Sequence, residues 1–158
     1  MFGNLYDMRG QCNNGTDCRT RVLVAIDPTW AANTTNTMII QQAENMIALA
    51  NTIIGESINQ TTLDNGGSVG IEYGLTLAGV EIFSADPLTS GFSNCPFTSG
   101  ALGTRLLCRM NNGDLPEFVG WMGEYRADVG IIIRSLNSGV LGQANQSGFD
   151  TSPYIVLP

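Results

Sequence analysis

Between Asn36 and Ile58 the apolar positions recur with a helical period. At about 100° per residue, Ile39, Ala43, Met46, Ile47, Ala50, Ile53, Ile54 and Ile58 fall in one stripe, with Glu44, Asn45, Asn51, Thr52 and Glu56 opposite. This predicts a long amphipathic helix with one buried face. Asn33, Thr34, Thr35 and Asn36 supply capping groups at its start, and Asn59 to Thr62 a polar exit. Leu63 to Ser68, with Asn65-Gly66-Gly67, reads as a turn.

Strand patterns flank this helix. Thr20 to Ile26 (T-R-V-L-V-A-I) is short, β-branched and apolar, as expected of a strand covered on both faces, and Asp27-Pro28 stops it. Trp30 is placed at the start of the helix as a packing residue. Gly70 to Phe83 is a longer strand in which Ile71, Tyr73, Leu75 and Leu77 share one parity and Val80 and Ile82 the other. Gly79 therefore marks a bulge or bend where the inward face changes over. Glu72 and Glu81 lie in this strand, but a rise of about 3.3 Å per residue keeps them out of each other's reach as an acid/base pair. They are assigned to a solvated face.

Residues 84–112 are Gly/Ser/Pro-rich, with Leu102, Leu106 and Leu107 marking a short helical turn. Asp114 to Tyr125 is predicted as a second main helix, with Asp114 as cap, Pro116 in the first turn and Glu117 completing a capping box. Ala127 to Leu136 is another buried strand. Asn137 to Ser147 alternates weakly, and Tyr154 to Leu157 is a short terminal strand. One β-α-β unit followed by α-β-β-β predicts an α/β fold, a twisted and mostly parallel sheet of about five strands with two main helices.

Composition narrows the function. The 158 residues suit one domain, 43% of them hydrophobic and only 13% charged. Lys and His are absent, so all seven basic residues are Arg, and the formal net charge is −7. Such a chain lacks the basic footprint of a nucleic-acid or anionic-membrane partner, and no apolar run is long enough to span a bilayer. Without His or Lys, Ser-His-Asp, Cys-His and Ser-Lys catalysis are excluded. Gly66-Gly67 precedes a strand instead of opening a helix, so it is no phosphate-binding fingerprint.

The four cysteines form two local couples, Cys12 with Cys18 and Cys95 with Cys108. Neither has the close spacing or His partners of a zinc site, so two disulfides are expected, and with them a secreted or extracellular protein. The sequons at Asn14, Asn33, Asn59 and Asn145 are candidate glycan acceptors, although an Asn- and Thr-rich chain generates such tripeptides by chance.

Several short motifs, in order, resemble one family. They are C-N-N-G-T at 12–16, V-L-V-A-I-D-P-T-W at 22–30, the long helix with Ala50-Asn51, I-E-Y-G-L-T-L-A-G-V-E at 71–81 and E-Y-R-A-D-V-G-I-I-I at 124–133. This succession is similar to the reprolysin-like secreted bacterial branch of the metzincin zinc metallopeptidases, over about residues 12 to 157. The resemblance implies a three-layer zincin-like half-domain, the upper N-terminal part of a catalytic domain. It also implies that S-G-V-L-G-Q-A at 138–144 is an antiparallel edge strand on the rim of the substrate cleft. Gly139, Val140, Leu141, Gly142, Gln143 and Ala144 would then pair with an extended peptide; a plain surface strand or loop is the alternative.

The family's H-E-x-x-H-x-x-G-x-x-H, whose His residues hold zinc and whose Glu is the general base, has no counterpart here. No catalytic or metal-ligating residue is therefore assigned, and zinc is expected only if a C-terminal half carries that motif. Two functions remain open. One is the scaffold and cleft-edge portion of a secreted metalloendopeptidase; the other is a non-catalytic extracellular domain that binds peptides or associates with itself through sheet edges. Proteolysis with the bridges intact should yield a fragment joining Cys95 to Cys108; a mass-spectrometric cross-link from either to Cys12 or Cys18 would contradict the local pairing.

Overall fold

The computed structural model describes residues 17–32, 34–65, 72–91, 93–96, 102–134, 143–144 and 154–157. Three parallel strands form an open sheet in the order β2-β1-β3, with β1 at Asp17–Ile26, β2 at Glu72–Ile82 and β3 at Val129–Ile133. The helices are α1 (Pro28–Ala31), α2 (Asn36–Asn65), α3 (Leu102–Asn111) and α4 (Pro116–Glu124). Two short segments, β4 (Gln143–Ala144) and β5 (Tyr154–Leu157), also have strand geometry. The architecture is mixed α/β.

From β1 the chain crosses through α2 to β2 on one side, and from β2 through α3 and α4 to β3 on the other. Right-handed crossovers in opposite directions put their helices on opposite faces. Ile39, Ala43 and Ile47 of α2 cluster with Val22, Val24, Ile26, Val129 and Ile131. Leu106, Leu107, Met110 and Phe118 from α3 and α4 cluster with Leu23, Ala25 and Ile132. Val22 to Ile26 are consequently buried on both faces, as their unbroken apolar run predicts.

The parity change in β2 has its expected cause. Val22 pairs with Leu77 and Leu23 with Gly79, so Ala78 is an extra residue. That bulge lets Leu75, Leu77, Val80 and Ile82 all pack on the α2 side. Gly79 then lies under the Tyr125 ring, where a Cβ would stand 2.7 Å from ring carbons.

Several expectations are corrected. α2 continues to Asn65, through the residues read as an exit and a turn, because Asn59 to Asn65 contains neither Gly nor Pro. Ile53, assigned to the buried stripe, is 58% exposed. Asn51, assigned to the polar face, instead turns to β2: the Leu75 amide donates to its Oδ1 (2.6 Å) and its Nδ2 donates to the Leu75 carbonyl (2.8 Å). Its carboxamide mimics a neighbouring strand's peptide group. The turn at Leu102 is a ten-residue helix, closed by Gly113 with φ 69° and by the Asp114 amide donating to the Arg109 carbonyl (2.9 Å).

The capping box on α4 is absent. Leu115 is the N-cap and makes no side-chain cap bond, although Pro116 does occupy the first turn. Asp114 is buried and turned to another loop, and Glu117 accepts from the Ser84 amide at 3.2 Å; tertiary donors have outcompeted the local ones. Glu81 does not stand on a solvated face, since its carboxylate accepts a hydrogen bond from the Tyr125 hydroxyl. That bond, with burial and the charges of Glu81 and Glu124, pushes the Tyr125 hydroxyl above its usual range.

Asn51→Leu should lower the unfolding free energy in denaturant titration by about 1 kcal/mol or more, the cost of leaving partly buried main-chain groups unpaired, whereas Asn45→Leu, on the exposed face of the same helix, should stay within about 0.5 kcal/mol.

Candidate functional site

All three parallel strands end on the same side of the sheet, where two oppositely directed crossovers part beside β1 and β3. In open α/β sheets such a point leaves a crevice that helices do not fill. Asp27 follows β1 directly and Arg134 follows β3. Asp27 is 1% exposed. Its Oδ1 accepts from the Thr29 amide (2.8 Å) and starts α1, while Oδ2 is 3.1 Å from Arg134 Nη1, an ion pair without hydrogen-bond geometry. Arg134 also binds Asp86 in the loop after β2, through Nη1 to Oδ1 and through Nη2 to Oδ2 at 3.2 Å. One guanidinium thus holds the ends of β1 and β3 to the β2–α3 loop.

Partial burial pushes the Asp86 carboxyl up, but hydrogen bonds from Arg134 and the Leu88 amide, the Arg134 charge and a bond from Thr89 together outweigh it. The carboxyl stays below the usual range.

The loop from Asp86 to Cys95 is tied at further points. Arg109, buried at the end of α3, donates to the carbonyls of Leu88 (2.7 Å) and Ser90. Asp114, between α3 and α4, accepts from Ser93 Oγ (3.2 Å), the Asn94 amide (2.8 Å) and Asn94 Nδ2 (3.1 Å). Cys95 is disulfide-bonded to Cys108 of α3, with Cα atoms 5.7 Å apart. Between this loop, the end of β2 and the start of α4 opens a mostly apolar cavity of about 490 Å³, lined among others by Phe83, Ala85, Asn94, Leu115, Pro116 and Glu117.

Gln143 and Ala144 of the expected cleft edge lie in β4; Gly139, Val140, Leu141 and Gly142 fall outside the described residues, as do Cys12, the side chain of Cys18, and the sequons at Asn14, Asn33 and Asn145. Asn59 is on α2, its side chain beyond the description. Among the described residues, no three His, Cys, Asp or Glu side chains stand together so as to hold a metal ion. Asp27 and Asp86 face Arg134 and Cys95 is bridged, so this donor set does not fit zinc.

The E-Y-R-A-D stretch serves as a junction. Arg21 donates from its side chain to the carbonyls of Tyr125 (2.8 Å) and Arg126 (3.0 Å), and its amide donates to Asp128 Oδ2 (2.8 Å). Arg109, which shapes the loop, was missed by sequence reasoning, its signal being a charged residue inside an apolar helical pattern; Asp114 was read as a helix cap and instead binds the loop. Compared with known protein families and with curated proteins, the chain matches no family model and no curated relative.

A lowered folded-state pKa means that Asp86 stabilises the fold fully above its unfolded value near 3.9 and loses that contribution as pH falls through the folded value. The stability difference between wild type and Asp86→Asn should therefore be constant from about pH 5 upward and shrink below about pH 4, as read by urea unfolding across that range.

Proposed function

We propose that the chain is the N-terminal scaffold and substrate-cleft edge of a secreted zinc metalloendopeptidase, with the catalytic ligands carried outside these residues. The observation that carries this reading is the pairing of the two short strands. β5 runs parallel to β3, with Gly130 opposite Tyr154, and β4 runs antiparallel to β5, with Gln143 opposite Val156 and Ala144 opposite Ile155. The order β2-β1-β3-β5-β4 makes β4 the outermost strand, reversed against all others, which is the arrangement the metzincin resemblance implies for a cleft rim. It underlies the reading of a five-stranded, zincin-like sheet.

An antiparallel edge offers an extended peptide main-chain donors and acceptors in alternation. The Cys95–Cys108 bridge favours an oxidising compartment. Zinc, on this reading, belongs to a separate C-terminal half.

A second reading, a non-catalytic extracellular domain that associates with itself, is favoured by exposed apolar residues on α2: Met38, Leu49 and Ile53 are each more than half exposed. Sequencing beyond the Pro158 codon discriminates between the two. The protease reading expects an in-frame His-Glu-x-x-His-x-x-Gly-x-x-His, and a stop codon in its place overturns that reading. For the edge itself, an extended peptide should shift the backbone amide resonances of Gln143 and Ala144, and the same peptide N-methylated at alternate residues should not.

A further inference from the structure

The cavity beside the Asp86–Cys95 loop lies at the end of β2, the edge of the sheet opposite β4, and the proposed cleft does not use it. Its wall is fixed at unusual cost. Arg109 and Asp114 are 4% and 9% exposed, and both bind that loop: Arg109 donates to the carbonyls of Leu88 and Ser90, and Asp114 accepts from Ser93 and Asn94. Burying two charges is expensive, and a surface loop does not need such anchoring to keep the core dry. Rigid support of this kind is what a binding wall requires.

The chemistry of the lining selects the ligand. Phe83, Ala85, Leu115 and Pro116 make it mainly apolar. Asp114 and Glu117 put two carboxylates on the wall, and none of the described residues lining it is basic. Glu117 is half-buried and accepts from the Ser84 amide, and among the described lining residues it and Asp114 are the two charged ones. The volume, about 490 Å³, is at the small end of ligand sites. We infer that this cavity binds an ammonium group carried on a short apolar stem, with Glu117 receiving the cation and Phe83, Leu115 and Pro116 receiving the stem.

Such a group could arrive as a free amine or as a lysine side chain of a peptide, and the test separates them. Phenethylamine, Nα-acetyl-lysine methylamide and phenethyl alcohol are titrated into the full chain at neutral pH. Binding is followed by Trp121 fluorescence in a Trp30→Phe background, since the Trp121 ring centroid is 5.1 Å from that of Phe83. Both amines, or one of them, should bind about tenfold or more tightly than the alcohol, as expected of a partly desolvated charge pair; the tighter amine identifies the source. Glu117→Gln should erase that preference while leaving alcohol binding unchanged, and Ala85→Phe, an exposed substitution at the mouth, should block all three probes. Equal binding of amine and alcohol, no amine binding at millimolar concentration, or an unaltered preference in a cooperatively folded Glu117→Gln would overturn the assignment.

Discussion

Val22 to Ile26 are each at most 1% exposed, and a strand reaches that state only when both its edges are paired and both its faces are covered. β1 therefore needs β2 on one side, β3 on the other, α2 above and α3 with α4 below. Each partner is specified by that demand. A main-chain donor or acceptor left unpaired at the centre of the sheet would cost about 1–3 kcal/mol, so the parallel registers with β2 and β3 are as necessary as the side-chain packing. The parallel registers then put the three strand ends on one side of the molecule.

Periodicity exposed the part of this arrangement that depends on single elements. The apolar run of β1, the stripe Ile39, Ala43 and Ile47, and the change of parity at Gly79 all express burial, and burial leaves its mark directly in the order of residue types. Polar residues were less legible because their partners are distant in sequence. Asp114 and Glu117 have the spacing of a capping box, yet Asn94 and Ser84 compete for the same oxygens and win. Asn51 sits at the border of the helix's buried face, where a helical wheel predicts solvent and the neighbouring strand supplies Leu75. α2 ran past its apparent exit because polar residues without Gly or Pro do not stop a helix.

The charged groups at the strand ends were invisible as a unit for the same reason. Asp27, Asp86 and Arg134 belong to three separate segments, and only the sheet brings them together. Their arrangement is cohesive: the guanidinium neutralises a deeply buried carboxylate and reaches a shallower one. Arg109 and Asp114 do the same for the loop beyond, so a chain with few charges commits several of them to joining segments at one end of the sheet.

The central position of β1 also shapes how the molecule is made. Its contact with β3 spans 107 residues, as between Arg21 and Asp128, whereas α2 and β2 follow it closely. During synthesis the first β-α-β unit emerges with one edge of β1 and the face meant for α3 and α4 still bare, and it stays so until the E-Y-R-A-D junction leaves the ribosome. Such delayed closure slows folding and exposes a pairing-competent strand meanwhile. A nascent hydrophobic edge therefore stays bare while the residues between β2 and β3 are being made.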